Sequence, residues 1–307
     1  MAKFMKPIQV LFALTVTALA PIVWGSTYIV TTELLPSNIP LTAALLRALP
    51  AGMVLVLITR TKPQGQWWGK LAILGLLNIG FFFYCLFFAA THLPGGMAAL
   101  VMAISPILVI TLNFLLNKSP LSLNQGLASV LGVVGIALLV LNNQAALDLS
   151  GVVMGLLGAF SMALGMVLTK RWNRPTDMNL LGFTGWQLLF GGLMLLPVSL
   201  WFEGLPRSLS LNNMVGYAYL TIVGSMIAYS LWFRGLEKLP TVTVSFLGLL
   251  SSVSAVALGY FILGESLTIM QFVGAMTIFV SIVLASTASK PRPIVKADKT
   301  ALEPRLT

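Results

Sequence analysis

Charge is what this chain lacks. Only 8% of its 307 residues are Asp, Glu, Lys or Arg, against about 25% in soluble domains. A further 58% are hydrophobic, more than a soluble core can hide beneath the polar surface available. A soluble globular fold is therefore excluded, and lipid is the remaining solvent. The chain has one cysteine, Cys85, inside an apolar run. No internal disulfide can form, so cysteine usage says nothing about redox compartment. With a single histidine, His92, no His/Cys/Asp/Glu group has metal-ligand spacing. No glycine-rich loop ends in Lys-Ser or Lys-Thr, which argues against an ATP-driven pump. Nothing in the composition calls for a cofactor, and no stretch is polar enough to be a separate soluble domain.

What is present is a succession of long apolar runs, with a mean hydropathy of +0.95. A spanning helix needs about 20 apolar residues, so the length accommodates about ten. Runs bounded by charges, prolines and Asn/Ser clusters predict helices over 8–33, 40–59, 70–91, 95–116, 123–141, 150–170, 179–202, 212–234, 241–263 and 267–287. Each run is continuously apolar rather than alternating. Backbone exposed to lipid must satisfy its own hydrogen bonds, and a helix does this within one segment. The fold class expected is therefore all-α integral membrane. Lys3, Lys6 and Ala18-Leu19-Ala20 imitate a signal peptide. The apolar run continues to about Val30, the length of a span, so it reads as a retained first helix. The tail from Lys290 onward is polar and reads as disordered.

The net charge of +10 is spread over short loops and ends and forms no basic face, so it implies no nucleic-acid partner. It reports membrane orientation instead. With the N-terminus inside, the cytoplasmic segments hold Lys3 and Lys6; Arg60, Lys62 and Lys70; Lys118; Lys170, Arg171 and Arg174; Arg234 and Lys238; and Lys290, Arg292, Lys296, Lys299 and Arg305. These are sixteen of the 18 basic residues. Arg207 alone falls outside, and Arg47 lies within the second helix. The acids divide evenly. Lys and Arg set orientation, so ten spans with both termini cytoplasmic is the expectation.

Ten spans divide into two fives, giving a first unit over 1–143, a second over 144–289 and a polar tail over 290–307. Leu46-Arg47-Ala48-Leu49-Pro50-Ala51-Gly52 overlays Trp186-Gln187-Leu188-Leu189-Phe190-Gly191-Gly192. His92-Leu93-Pro94 overlays Lys238-Leu239-Pro240, and Ser119 to Gln125 overlays Glu265 to Gln271. Five is odd, so the second unit would be inverted in the membrane. Inverted repeats are characteristic of secondary transporters, whose substrate sits near the midplane. A generic bundle with accidental similarity is the competing reading.

Trp24-Gly25-Ser26-Thr27-Tyr28, Arg47-Ala48, Ser105-Pro106 and Gly264-Glu265-Ser266-Leu267-Thr268 carry a resemblance. Over residues 8–288 the chain resembles the EamA-like branch of the drug/metabolite transporter superfamily. The resemblance implies a ten-helix, two-repeat inner-membrane transporter, often an exporter of amino acids or related metabolites. The chain departs from the pattern at Ser252, the repeat partner of Pro106, and at Ser119, the partner of Glu265. It also has Met162 where the family often has Trp.

Arg47 is the sharpest candidate for substrate contact. It lies about 10 Å into its helix at 1.5 Å per residue, where charge is costly and faces a cavity or a partner. A guanidinium matches a carboxylate bidentately. The structural alternatives are a pair with Glu33 or snorkelling to the interface. Trp24 and Tyr28 would suit an amphipathic organic substrate, and Tyr84, Ser105, Gln187, Tyr229 and Ser252 are further in-membrane polar groups. Each alone is also explained as interhelical glue. His92 could relay protons but fits an interfacial turn better. Arg234 and Glu237, three apart, most simply pair with each other.

No intramembrane acid sits at a helix centre, so proton antiport and facilitated exchange both stay open. The expected function is a secondary transporter exporting amino acids or related amphipathic metabolites by alternating access. The expected partners are a small-molecule substrate, the lipid bilayer and, as an open possibility, a coupling proton. A membrane enzyme or flippase acting on a lipid-linked substrate is the alternative. It would need a nucleophile or an acid–base pair near an interface, which Arg47, His92 and Glu265, on separate segments, do not supply. A receptor or scaffold is the third class, disfavoured by the lack of any soluble domain.

Overall fold

The computed structural model describes residues 7–36, 39–93, 97–140, 148–206, 208–264 and 266–288. Among the described residues the regular structure is entirely helical. In chain order we label α1 (Pro7–Leu34), α2 (Pro40–Thr59) and α3 (Trp67–His92). Next come α4, in two pieces (Met97–Met102 and Ser105–Asn117), and α5 (Leu123–Val140). The rest are α6 (Leu149–Trp172), α7 (Leu180–Phe202), α8 (Leu211–Lys238), α9 (Thr241–Leu263) and α10 (Ile269–Ala288). Eight of these are long and apolar enough to cross a membrane; the long piece of α4 and helix α5 are apolar but shorter. Every helix begins and ends within four residues of its predicted bounds.

The departures lie inside the helices. Helix α1 breaks at Ser26, five residues after Pro21. Helix α4 breaks at Ala103-Ile104, ahead of Ser105-Pro106, because proline lacks an N–H and disfavours helix in the residue before it. Helix α9 breaks at Gly248-Leu249. Helices α3 and α8 each contain a π-turn, over Leu76–Gly80 and Ile222–Ile227. The π-turns start 146 residues apart, which is also the separation of the left-handed caps Lys118 and Gly264.

Helices α2 and α7 meet through glycine. A Cβ on Gly52 would overlap the backbone of Leu188 and Leu189, and one on Gly192 would overlap the backbone of Leu49. Small residues let helix backbones approach in lipid, where hydrophobic burial offers no drive. The same pair is tied at its end: the Glu203 carboxylate accepts from the Leu41 N–H at 2.9 Å and the Thr42 N–H at 2.7 Å. Those are first-turn donors of α2 that the helix cannot satisfy itself. Pro50, inside α2, leaves the Leu46 carbonyl without its helical donor; the Thr221 hydroxyl of α8 donates to it at 3.1 Å.

Glu237, at the end of α8, pairs with Arg174 at 2.6 Å, not with Arg234. Lys170 donates to the Glu237 and Leu239 carbonyls at 2.9 and 3.1 Å. The local three-residue spacing thus loses to a geometry set by the α6–α8 junction. Arg234 instead lies 6.0 Å from the Phe12 ring of α1.

At the start of α6, Asp148 accepts from the Ser150 hydroxyl and the Ser150 and Gly151 N–H groups. These bonds hold its carboxyl below the usual carboxylate range, the Ser150 hydroxyl contributing most. A depressed pKa gives stability that is present above the unfolded value of about 4 and is lost as pH falls through the folded value. The protection of the Ser150 and Gly151 amides, relative to the intrinsic exchange rate at each pH, should therefore fall on acidification. Asp148→Asn keeps a capping acceptor but removes the titration. In that variant the added acid sensitivity, measured by exchange mass spectrometry, should disappear.

Candidate functional site

The second π-turn organises the interior. A π-turn carries one extra residue in the helical ladder and frees backbone acceptors, a feature common at functional sites. In α8 the freed oxygen is that of Gly224. It accepts from the Trp24 indole N–H of α1 at 3.0 Å and from Arg47 Nη2 of α2 at 3.1 Å. Arg47 Nε donates to the Ser225 hydroxyl at 3.3 Å. The guanidinium carbon stands 4.9 Å from the centre of the Phe83 ring of α3, close enough for a cation–π attraction. Arg47 is 5% exposed.

Both structural alternatives for Arg47 therefore fail. It does not pair with Glu33, and it does not snorkel. Its hydrogen-bond partners are neutral, and among the described residues no carboxylate pairs with it. Arg47 is thus a desolvated cation held by a carbonyl, a hydroxyl and an aromatic face.

Aromatic rings wall this cation on one side. Trp24 stacks at 4.8 Å from Tyr229 and 5.2 Å from Trp232, with tilted planes. Phe83 meets Tyr229 edge-on at 6.3 Å. The structure thus brings together Trp24, Arg47 and Tyr229 of the residues expected from sequence. It adds Phe83, Gly224, Ser225 and Trp232, which sequence reasoning missed. Ser225 is a hydroxyl in an apolar run and could have been noticed; the Gly224 carbonyl has no side-chain signature.

Gln187 belongs to another network. It is fully buried and accepts from Asn78 Nδ2 at 2.8 Å, while Asn78 Nδ2 also donates to Thr169 at 3.2 Å. Asn78 lies in the first π-turn. Ser161 donates to the Leu77 carbonyl of the same turn at 2.8 Å. Arg47 thus bonds to the α8 π-turn and Gln187 to the α3 π-turn, one charged and one neutral.

The remaining candidates lie apart. Tyr84 is half-buried and its ring is 6.4 Å from Phe88. Ser105 begins the second piece of α4 and Ser252 sits in α9, both half-buried. Helix α9 touches α1 through Ser254, which donates to the Ile22 carbonyl at 2.8 Å and packs on Gly25. Tyr28 is on α1, but its side chain lies outside the described residues, as does Glu265. His92 is exposed and stacks on Phe88 at 4.0 Å, as an interfacial residue would. Among the described residues no group of His, Cys, Asp and Glu could hold a metal ion.

Comparison with known proteins gives consistent matches over nearly the whole chain. The model of the EamA-like transporter family matches twice, over residues 11–141 and 149–287. Protein PecM of Dickeya dadantii (strain 3937) is 47% identical over 285 residues, covering 91% of this chain and 96% of that protein. A probable amino-acid metabolite efflux pump of Salmonella typhimurium is 29% identical, covering 85% of this chain and 90% of its own. One solved crystal structure superposes with a TM-score of 0.75 at 16% identity, covering 90% of this chain and 96% of that one. That likeness concerns the fold alone.

Proposed function

This chain belongs to the EamA-like transporter family, a multi-pass membrane transporter, and from that premise we propose that it exports small carboxylate-bearing metabolites of the amino-acid type. The observation that carries the reading is Arg47: a buried guanidinium whose partners are a carbonyl and a hydroxyl and not an acid. A substrate carboxylate would supply the charge this site lacks, and charge-assisted bidentate bonds are the strong ones. The rings of Trp24, Phe83 and Tyr229 would take the apolar part of such a substrate. An efflux pump for amino-acid metabolites among the relatives supports the same class.

In this reading the ten helices span the inner membrane as two inverted halves, with both termini cytoplasmic. The double family match, the π-turns 146 residues apart and the reciprocal Gly52 and Gly192 contacts support two equivalent units. Alternating access would then be a rocking of one half against the other around the Arg47 site. Ser105, Tyr84, Tyr28, Gln187 and Ser252 would line the path or support it.

The test is counterflow in proteoliposomes with a panel of labelled amino acids, their N-acyl derivatives and matching amines. Accumulation should be confined to compounds bearing a carboxylate. Equal movement of the amines, or no flux from folded protein across the panel, would overturn the proposal.

A further inference from the structure

A cavity of about 500 Å³ opens between the first half of α1 and the last turn of α8, away from the Arg47 site. Its volume is in the range of small-ligand sites. Helices α1 and α8 touch at Trp24, which bonds to Gly224 and packs on Trp232, and again at Thr17, where Gly235 packs on it. From there toward Pro7 they diverge. One wall is the α1 strip Ile8, Gln9, Phe12, Ala13 and Val16, apolar apart from Gln9; the other ends in Arg234 and Lys238.

Two facts decide what fits. First, Arg234 and Lys238 lie within one turn of Gly235 along α8 and both are exposed; the Arg234 guanidinium lies 6.0 Å from the Phe12 ring. Second, the acid next to them, Glu237, is committed to Arg174, so the two cations leave the rim of the cleft positively charged.

We propose that this cleft is a binding site for one anionic phospholipid, with its phosphate between Arg234 and Lys238 and an acyl chain along Ile8, Phe12 and Val16. Basic clefts between membrane helices recognise anionic headgroups, and each Lys or Arg near the surface contributes a modest, comparable share. An acyl chain is required as well as a phosphate, because the α1 wall is apolar over Ile8, Phe12, Ala13 and Val16. The occupant is thus a lipid and not a free anion.

The experiment is native mass spectrometry of the full chain released from micelles containing equal phosphatidylglycerol and phosphatidylcholine. Wild type should retain phosphatidylglycerol preferentially, and added inorganic phosphate should not displace it. Arg234→Gln and Lys238→Gln should each weaken retention roughly five-fold, and the pair about twenty-five-fold. Lys118→Gln, an exposed cation elsewhere, should change nothing. Val16→Phe keeps the charges but fills the cleft, and should also release the lipid. Equal retention of the two lipids, an unchanged double variant, or an equal loss in Lys118→Gln would overturn the site. So would stronger retention after removal of residues 2–6, which would assign the cleft to the chain's own leading segment.

Discussion

Arg47→Met should cut counterflow of a carboxylate-bearing substrate by about thirty-fold or more, with the fold intact. Methionine keeps most of the stem's volume and removes only the guanidinium. Truncating one partner of a buried, hydrogen-bonded charge pair costs about 2–5 kcal/mol, and the lower figure alone is close to thirty-fold. Stability should move the other way. The cation is 5% exposed and has no acid partner among the described residues, and replacing buried charge by an apolar side chain of like volume is often neutral or stabilising. The Gly224 carbonyl would not be orphaned, since Trp24 still donates to it. Flux and a denaturation midpoint measured on the same preparation separate the roles. Unchanged flux with lowered stability would make Arg47 a pin between α2 and α8 and remove the substrate site.

The second large effect is structural. Gly52→Ala should destabilise the protein by roughly 2–3 kcal/mol, the upper end of overpacking costs. The added Cβ meets the Leu189 backbone, not the tip of a flexible side chain, so α2 and α7 must part. Gly192→Ala should cost a similar amount, because its Cβ meets the backbone of Leu49. The double variant should cost less than the sum, since either change alone already separates the helices and contacting sites are not additive. Gly69→Ala is the control: it sits in α3 with nothing within 4 Å of an added Cβ. Alanine there should be neutral or stabilising by up to about 1 kcal/mol. SDS-titrated unfolding followed by circular dichroism reads all four. A Gly52→Ala midpoint equal to wild type would mean that the α2–α7 contact is looser than described.

Helix bounds were readable because an apolar run ended by charge has one physical solution in lipid. The interior was less so. Leu76 to Gly80 and Ile222 to Ile227 read as ordinary helix, since a π-turn changes backbone pairing and leaves no composition mark. Arg47 stood out because charge in an apolar run is expensive; its anchor did not, because a backbone carbonyl carries no letter of its own. Arg234 and Glu237 show the reverse error. Nearness in sequence suggested a pair that Arg174, 63 residues away, takes in space. Ser252 and Ser254 differ by two positions, about 200° on a helix, and it is Ser254 that meets α1. Periodicity ranks faces well but does not aim individual side chains in a helix that breaks, as α9 does at Gly248-Leu249.

The π-turns also change the phase of the helices that hold them. Successive residues of an α-helix are about 100° apart, and one residue in excess offsets everything beyond it by about that angle. Before its π-turn α3 presents Gly75 to Gln187 and Phe190 of α7; after it, Cys85 is met by Gly158 of α6. Helix α8 likewise donates from Thr221 to Leu46 of α2 before its turn and sets Phe233 against Phe183 of α7 after it. One continuous helix thus serves two sets of neighbours. Its residue count becomes as informative as its residue types. A substitution in either π-turn alters one side chain, whereas the loss of a single residue there would rotate the whole distal half away from the partners it was cut to meet.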